Sequence, residues 1–144
     1  MAEYTAAALQ IVDADQNVLF TGAPVPCSRG WVVHRDGSGV FTLRGITDRC
    51  AALYRVEFTG NIEIPDGGTA APISVAIAID GEPLASSLAI FTPAEDAQFG
   101  NVTSLAIIRV PRGCCTRVAV VNTTVTNVPI DVQNANIEIT RITG

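Results

Sequence analysis

Trp31-Val32-Val33-His34-Arg35, then Asp36-Gly37-Ser38-Gly39, then Val40-Phe41-Thr42-Leu43-Arg44-Gly45 is the stretch that decides the fold. Two runs rich in aromatic and β-branched residues flank a turn of Asp, Gly and Ser. Asp and Gly tolerate the positive φ of a tight hairpin, so the stretch predicts two paired strands. After a short loop, Leu53-Tyr54-Arg55-Val56-Glu57-Phe58-Thr59-Gly60 alternates. Successive side chains of a strand point to opposite sides. Tyr54, Val56, Phe58 and Gly60 therefore share a core-facing side, and Leu53, Arg55, Glu57 and Thr59 a wet one.

The same grammar runs outward in both directions. Residues 4–12 fit a strand of small residues or a short helix, and 17–20 a second short strand. Residues 23–28 read as a loop, because Pro24 and Pro26 deny the backbone donors that a sheet interior needs. Beyond the opening stretch, 61–64 and 73–79 are apolar strand runs separated by a proline-bounded loop at 65–72. Asp80-Gly81-Glu82-Pro83 turns the chain back into 84–92, and an acidic loop follows at 93–98. A long strand at 101–110 turns through Pro111-Arg112-Gly113 into 116–122, and 129–142 closes the chain. No helical period is sustained and no repeat stands out. Turn signals recur about every eight to twelve residues, which predicts an all-β sandwich or barrel of about eight to ten strands.

The 144 residues suit one domain, 1–144. Only 16% of them are charged against 48% hydrophobic, where about a quarter charged is usual for a soluble chain. Part of the surface is therefore expected to meet other subunits. The net charge is −5 and all nine basic residues are arginine, with no basic run. That pattern excludes nucleic acid as a partner, since phosphate binding needs concentrated positive charge. Met1-Ala2-Glu3-Tyr4 lacks the basic segment of a secretion signal. No apolar run approaches the roughly 20 residues that cross a bilayer. These features predict a soluble chain with no membrane partner, made in the cytoplasm and leaving it only inside a larger object.

Gly39-Val40-Phe41-Thr42-Leu43 followed by Tyr54-Arg55-Val56-Glu57-Phe58 resembles the "GxF…YxFxF" core of the C1q/TNF-like jelly rolls, with Val56 replacing the middle aromatic. The same core occurs in the C-terminal domains of bacterial collagen-like spore-surface proteins. Later segments fit in order. Residues 75–82 resemble the strand ending in an "xxxNG" tip, and 107–113 with 118–122 the "L…aGDxVxVxV" turn, its Asp replaced by Cys114. Gly113-Cys114-Cys115 and Gln133-Asn134-Ala135-Asn136 are similar to segments of small proteins encoded by phages and prophages of gut bacteria. The likeness covers almost the whole chain and lacks any collagenous Gly-X-Y run.

The resemblance implies a ten-strand jelly-roll sandwich that assembles as a tight homotrimer, burying the face with the first and last strands around a three-fold axis. Ala6, Ala8, Ile137 and Ile139 would then either form the trimer interface or fill the sandwich core. The low charge fraction favours the interface.

Cys27, Cys50, Cys114 and Cys115 lie in or beside three turns, and an up-and-down strand count places all four at one end of the sandwich. Three readings are open. Two disulfides would staple the loops, each contributing about 2–4 kcal/mol if unstrained. Four free thiols suit a reducing cytosol. A four-thiolate zinc site lacks the usual C-x₂₋₄-C spacing, and no metal or other cofactor is expected.

Catalytic signals are absent. His34 is the sole histidine, no nucleophile elbow surrounds any serine, and a Cys27–His34 pair rests on spacing alone. No catalytic residue is assigned and the chain is not expected to be an enzyme. Asp13-Ala14-Asp15-Gln16-Asn17 opens like a calcium loop, but Val18 stands where glycine is needed and Pro24 where the closing glutamate belongs. It reads as a polar turn. Glu95-Asp96 solvates its loop, and Trp31 is expected in the core or an interface.

The leading functional expectation is a phage virion structural protein, a trimeric capsid decoration or fibre knob whose partners are a major capsid or fibre protein. The alternative is a trimeric receptor- or glycan-binding adhesin module for a host surface, with the loops at 65–72 and 93–99 making contact.

Overall fold

The computed structural model describes residues 1–26 and 30–143. Cys27, part of the predicted thiol group, lies outside the described residues. In chain order the strands are β1 (Ala2–Ala6), β2 (Gln10–Val12), β3 (Gly22–Val25), β4 (Val32–His34), β5 (Phe41–Arg44) and β6 (Ala51–Glu63). Then come β7 (Ile73–Ile79), β8 (Glu82–Pro83), β9 (Ala89–Phe91), β10 (Gly100–Pro111), β11 (Cys115–Asn122) and β12 (Ile130–Thr143). They form two antiparallel sheets. The first runs β10-β6-β12-β1-β3 with β2 also on β12, and the second β4-β5-β11-β7-β8 with β9 also on β7. This is the predicted jelly-roll sandwich, with twelve strands among the described residues rather than ten, the two-residue β8 and three-residue β9 counting separately.

The opening stretch folds as read: β4 and β5 pair from Val32↔Leu43 to His34↔Phe41. Gly37 at φ +82° makes the turn, closed by Ser38 N–H donating to Arg35 O (2.9 Å). In β6, Tyr54, Val56 and Phe58 are wholly buried while Arg55 is exposed. The centre of the core is aromatic. Phe20 meets Phe41 edge-on at 5.4 Å and Phe58 at 6.4 Å, arrangements worth about 0.5–1.5 kcal/mol each beyond burial. Asp80 and Gly81 both take positive φ between the paired residues Ile79 and Glu82. That is the two-residue hairpin turn whose twist suits its strands.

Four local expectations change. Residues 4–12 are two strands, β1 and β2, interrupted at Ala7–Leu9. The loop expected at 23–28 is a strand in its first part, where Gly22–Val25 pairs with β1, and residues 27 and 28 lie outside the described residues. β3 is the outermost strand of its sheet, where Pro24 forfeits no essential ladder bond. Residues 17–20 give a single bridge, Asn17↔Val121, rather than a strand. Residues 84–92 break into a 3-10 turn at Ala85–Ser87 and the short β9. There Ser87 Oγ accepts from Ile77 N–H (2.9 Å) and donates to Leu84 O (2.7 Å), taking the place of a ladder partner. The turn after β10 also differs from a hairpin. It carries the chain from one sheet to the other, since β10 and β11 belong to different layers.

Candidate functional site

Two ends and one sheet face hold the candidate site residues. At the first end, the loop before β6 and the turn before β11 are stitched together by backbone bonds. Gly45 N–H donates to Cys114 O (2.9 Å), Gly113 N–H to Gly45 O (3.1 Å) and Arg112 N–H to Cys50 O (2.9 Å). A Cβ on Gly45 would collide with Pro111 O, so only glycine lets the two backbones approach this closely. Of the four thiols that the strand count groups, Cys50, Cys114 and Cys115 lie at this end, and all three are exposed free thiols. Among the described residues no three His, Cys, Asp or Glu side chains converge to hold a metal ion.

The same end gathers arginines that are dispersed in sequence. Arg44 pairs with Cys115 and Arg109 with Leu53, while Arg49 and Arg112 sit in the stitched loops. Arg141 lies on the Trp31 ring, 4.4 Å from its centroid, and donates to Ile46 O. Tyr54 O–H anchors the floor by donating to Arg44 O (2.6 Å). Trp31 is thus half-buried beneath a guanidinium and packs against the core. No basic run marks this cluster in the sequence, because it exists only once the strands are in register.

The opposite end carries carboxylates. Glu63 on β6 faces Asp131 on β12 across the ladder, and both are buried. Burial, the hydrogen bond with Asp131, and the charges of Asp131, Asp66 and Asp96 push the Glu63 carboxyl up to about 7. The loop at 93–99 is tied over this pair: Gly67 N–H donates to Asp96 Oδ2 (2.6 Å) and Ala97 N–H to Ile64 O (2.8 Å). Beside it a mostly apolar depression of about 300 Å³ is lined by Ile64, Pro65, Ala71, Val128 and Pro129. Asn122 braces the end from inside. Its Nδ2 donates to Val12 O and Val128 O (both 3.0 Å), and its Oδ1 accepts from Thr124 N–H (3.1 Å).

The outward face of the first sheet corrects the interface residues. Ala6, Ile137 and Ile139 are buried within the protomer's own core, and only Ala8 is exposed. The pairings Tyr4↔Ile137 and Ala6↔Ala135 show why: the apolar members of β1 and β12 share the inward side. Glu3, Thr5, Asn136 and Glu138 point outward instead. They form rows with β6, including Glu57↔Glu138↔Glu3, and Asn136 Nδ2 donates to Glu3 Oε2 (2.9 Å). At the β10 margin this polar face turns apolar, with Leu105 44% and Ile107 54% exposed.

The remaining sequence candidates are structural. The His34 ring stacks on Phe41 (4.5 Å, 14°), and its Nε2 lies 2.8 Å from Ser38 O. Asp15, at φ 61°, makes the turn that carries the chain between sheets, its N–H donating to Asn122 O (3.0 Å).

The sandwich is a jelly roll of the C1q/TNF type. It is similar to the globular domain of zebrafish complement 1qA (TM-score 0.64, 12% identity, 95% of this chain and 94% of that one). It is likewise similar to Eiger TNF from S. frugiperda (0.68, 14%, 99% and 92%) and to murine APRIL (0.59, 9%, 95% and 98%). These are likenesses of fold. No protein-family model matches the sequence, and no curated protein matches it.

Proposed function

We propose that the protein is a non-catalytic homotrimeric binding module, and that its setting is a bacteriophage virion, as capsid decoration or fibre knob. The observation that supports self-assembly is the uncovered margin of the first sheet. β10 is a twelve-residue edge strand that exposes Leu105 and Ile107 and carries a single charge, Arg109, near its end. A long apolar edge of this kind invites pairing or packing by another chain. On the far flank Leu9 and Ile11 are also exposed, held in place by the Gln10 amide, which bonds both N–H and C=O of Leu19 (2.9 Å each). Different apolar patches on two flanks suit a cyclic assembly, in which one flank of each copy meets another surface of the next. The polar rows between them form the remainder of the contact. The virion setting draws on the low charge fraction and the sequence resemblance.

Sedimentation velocity at micromolar concentration tests the assembly. A unit of three chains is expected, and Ile107→Arg is expected to return single chains with an unchanged circular-dichroism spectrum. Only single chains from the unsubstituted protein would refute the trimer. Cryo-EM localisation tests the virion setting, and specific binding on a glycan array would replace it with host-surface recognition.

A further inference from the structure

We propose that the two ends of the sandwich are complementary docking surfaces, and that copies stack end to end, the arginine end of one on the carboxylate end of the next. This goes beyond the trimer reading and holds whether the stacking unit is one chain or three.

The charges are segregated along the strand direction. No arginine, lysine or histidine occurs between Arg55 and Arg109; that span supplies Glu63, Asp66, Glu95 and Asp96 to one end, while its Asp80 and Glu82 lie at the β7–β8 turn beside Arg117. The loop at 123–129, on the same end, has no basic residue either. Arg44, Arg49, Arg109 and Arg112 fold to the other end, all exposed, and Asp48 is the one carboxylate in the stitched loops there. Among the described residues none of these four arginines forms an ion pair, the one pair being Arg55–Glu57 (3.1 Å). The opposite end mirrors this. Its carboxylates press on one another without a guanidinium among the charges acting on Glu63, so this end lacks the counter-charge that the four unpaired arginines display.

The apolar pattern agrees. Ile46 and Ile142 stand exposed among the arginines, and Val125, at 90% exposure, among the loops of the carboxylate end. Apolar side chains within a charged surround is the anatomy of a docking surface. The opposed charges draw the partners together and set their register, and the apolar side chains add contact at the centre. The two surfaces differ and lie at opposite ends, so the contact is heterologous and propagates as an open stack rather than closing.

Light scattering at micromolar concentration, in about 0.01 M and about 1 M salt, reads the stack, because screening lengths fall from about 30 Å to about 3 Å between them. The low-salt mass is expected to be at least about twice the high-salt mass, which itself reports the trimer separately. Two pairs of exposed substitutions, Arg49→Glu with Arg112→Glu, and Asp66→Arg with Glu95→Arg, should each abolish the low-salt increase. Mixing the two variants should restore it as an alternating stack, since one then has two acidic ends and the other a basic carboxylate end. The neutral pair Arg49→Gln with Arg112→Gln, which places no new charge in the loops, should weaken stacking as well. Equal masses at both salts would overturn the proposal. So would folded variants that stack alone, or that fail to co-assemble when mixed.

Discussion

Replacing Glu63 by Gln keeps the shape of the side chain and an N–H to give to Asp131, but removes the ionisation. In the native protein the Glu63 carboxyl is raised from 4.5 to about 7, first by burial and then by Asp131, Asp66 and Asp96. A carboxyl raised in this way favours the folded state while it is protonated there. Its contribution is complete below pH 4.5, where the unfolded chain holds the proton too. It declines as the pH climbs from 4.5 to 7, because unfolding then releases a proton. Each pH unit in that window costs about 1.4 kcal/mol, so the full span is roughly 3 kcal/mol, and closer to 2 once loop relaxation admits water. Urea unfolding at one fixed protein concentration, from pH 4.5 to pH 8, should therefore give curves that converge at the acid end. At pH 8, Glu63→Gln should be more stable by about 2–3 kcal/mol. Parallel curves, or a variant less stable at pH 8, would show that Glu63 is not the proton-bearing member of the pair.

Four further outcomes follow from the packing. Asn122→Ala leaves Val12 O, Val128 O and Thr124 N–H without their side-chain partner, at a cost of about 3 kcal/mol; a fall in thermal midpoint of less than about 2 °C would contradict that bracing. Gly45→Ala forces a methyl against Pro111 O and should cost about 2 kcal/mol or more, with faster alkylation of Cys50 and Cys114 by mass spectrometry as the loops part. Glu138→Gln relieves two like-charge cross-strand neighbours, Glu57 and Glu3, and should stabilise by about 0.5 kcal/mol; destabilisation in chemical denaturation would refute the electrostatic account of the row. Cys50, Cys114 and Cys115 should all take up iodoacetamide without reductant, and a mass unchanged by the reagent would refute free thiols.

The hairpin at 31–45 and the strand at 53–60 were legible because period-2 alternation and turn chemistry are local. Alternation also groups Ile137 with Ile139, but it does not say which side of the strand faces inward. That is decided by Tyr4↔Ile137 and Ile139↔Val56 pairing, contacts between residues far apart in the chain. Residues 84–92 read as a strand because the turn at Asp80-Gly81-Glu82-Pro83 sends the chain back into them; Ser87, bonding backward to its own turn, breaks that return strand. The thiol end was visible by counting reversals. The arginine end was not, since Arg44, Arg109 and Arg141 become neighbours only through the register of β5, β10 and β12 with their partners. Nothing local distinguishes Leu105 and Ile107 from core residues, because an edge strand betrays its position only through what it fails to pair with.

The two ends also differ in how they tolerate added chain. Around Gly45 the backbones touch, and reciprocal bonds to Cys114, Gly113 and Cys50 leave no slack, so an inserted residue would break several bonds at once. Across the molecule, Gly68, Thr69 and Ala70 are exposed at the crest of a loop whose anchorage lies at Gly67 and Pro65. A foreign peptide grafted between Thr69 and Ala70 would extend from a surface that the sandwich holds steady. The fold thereby tolerates added chain at one end, where a graft would also obstruct the next copy of a stack, and admits none at the other.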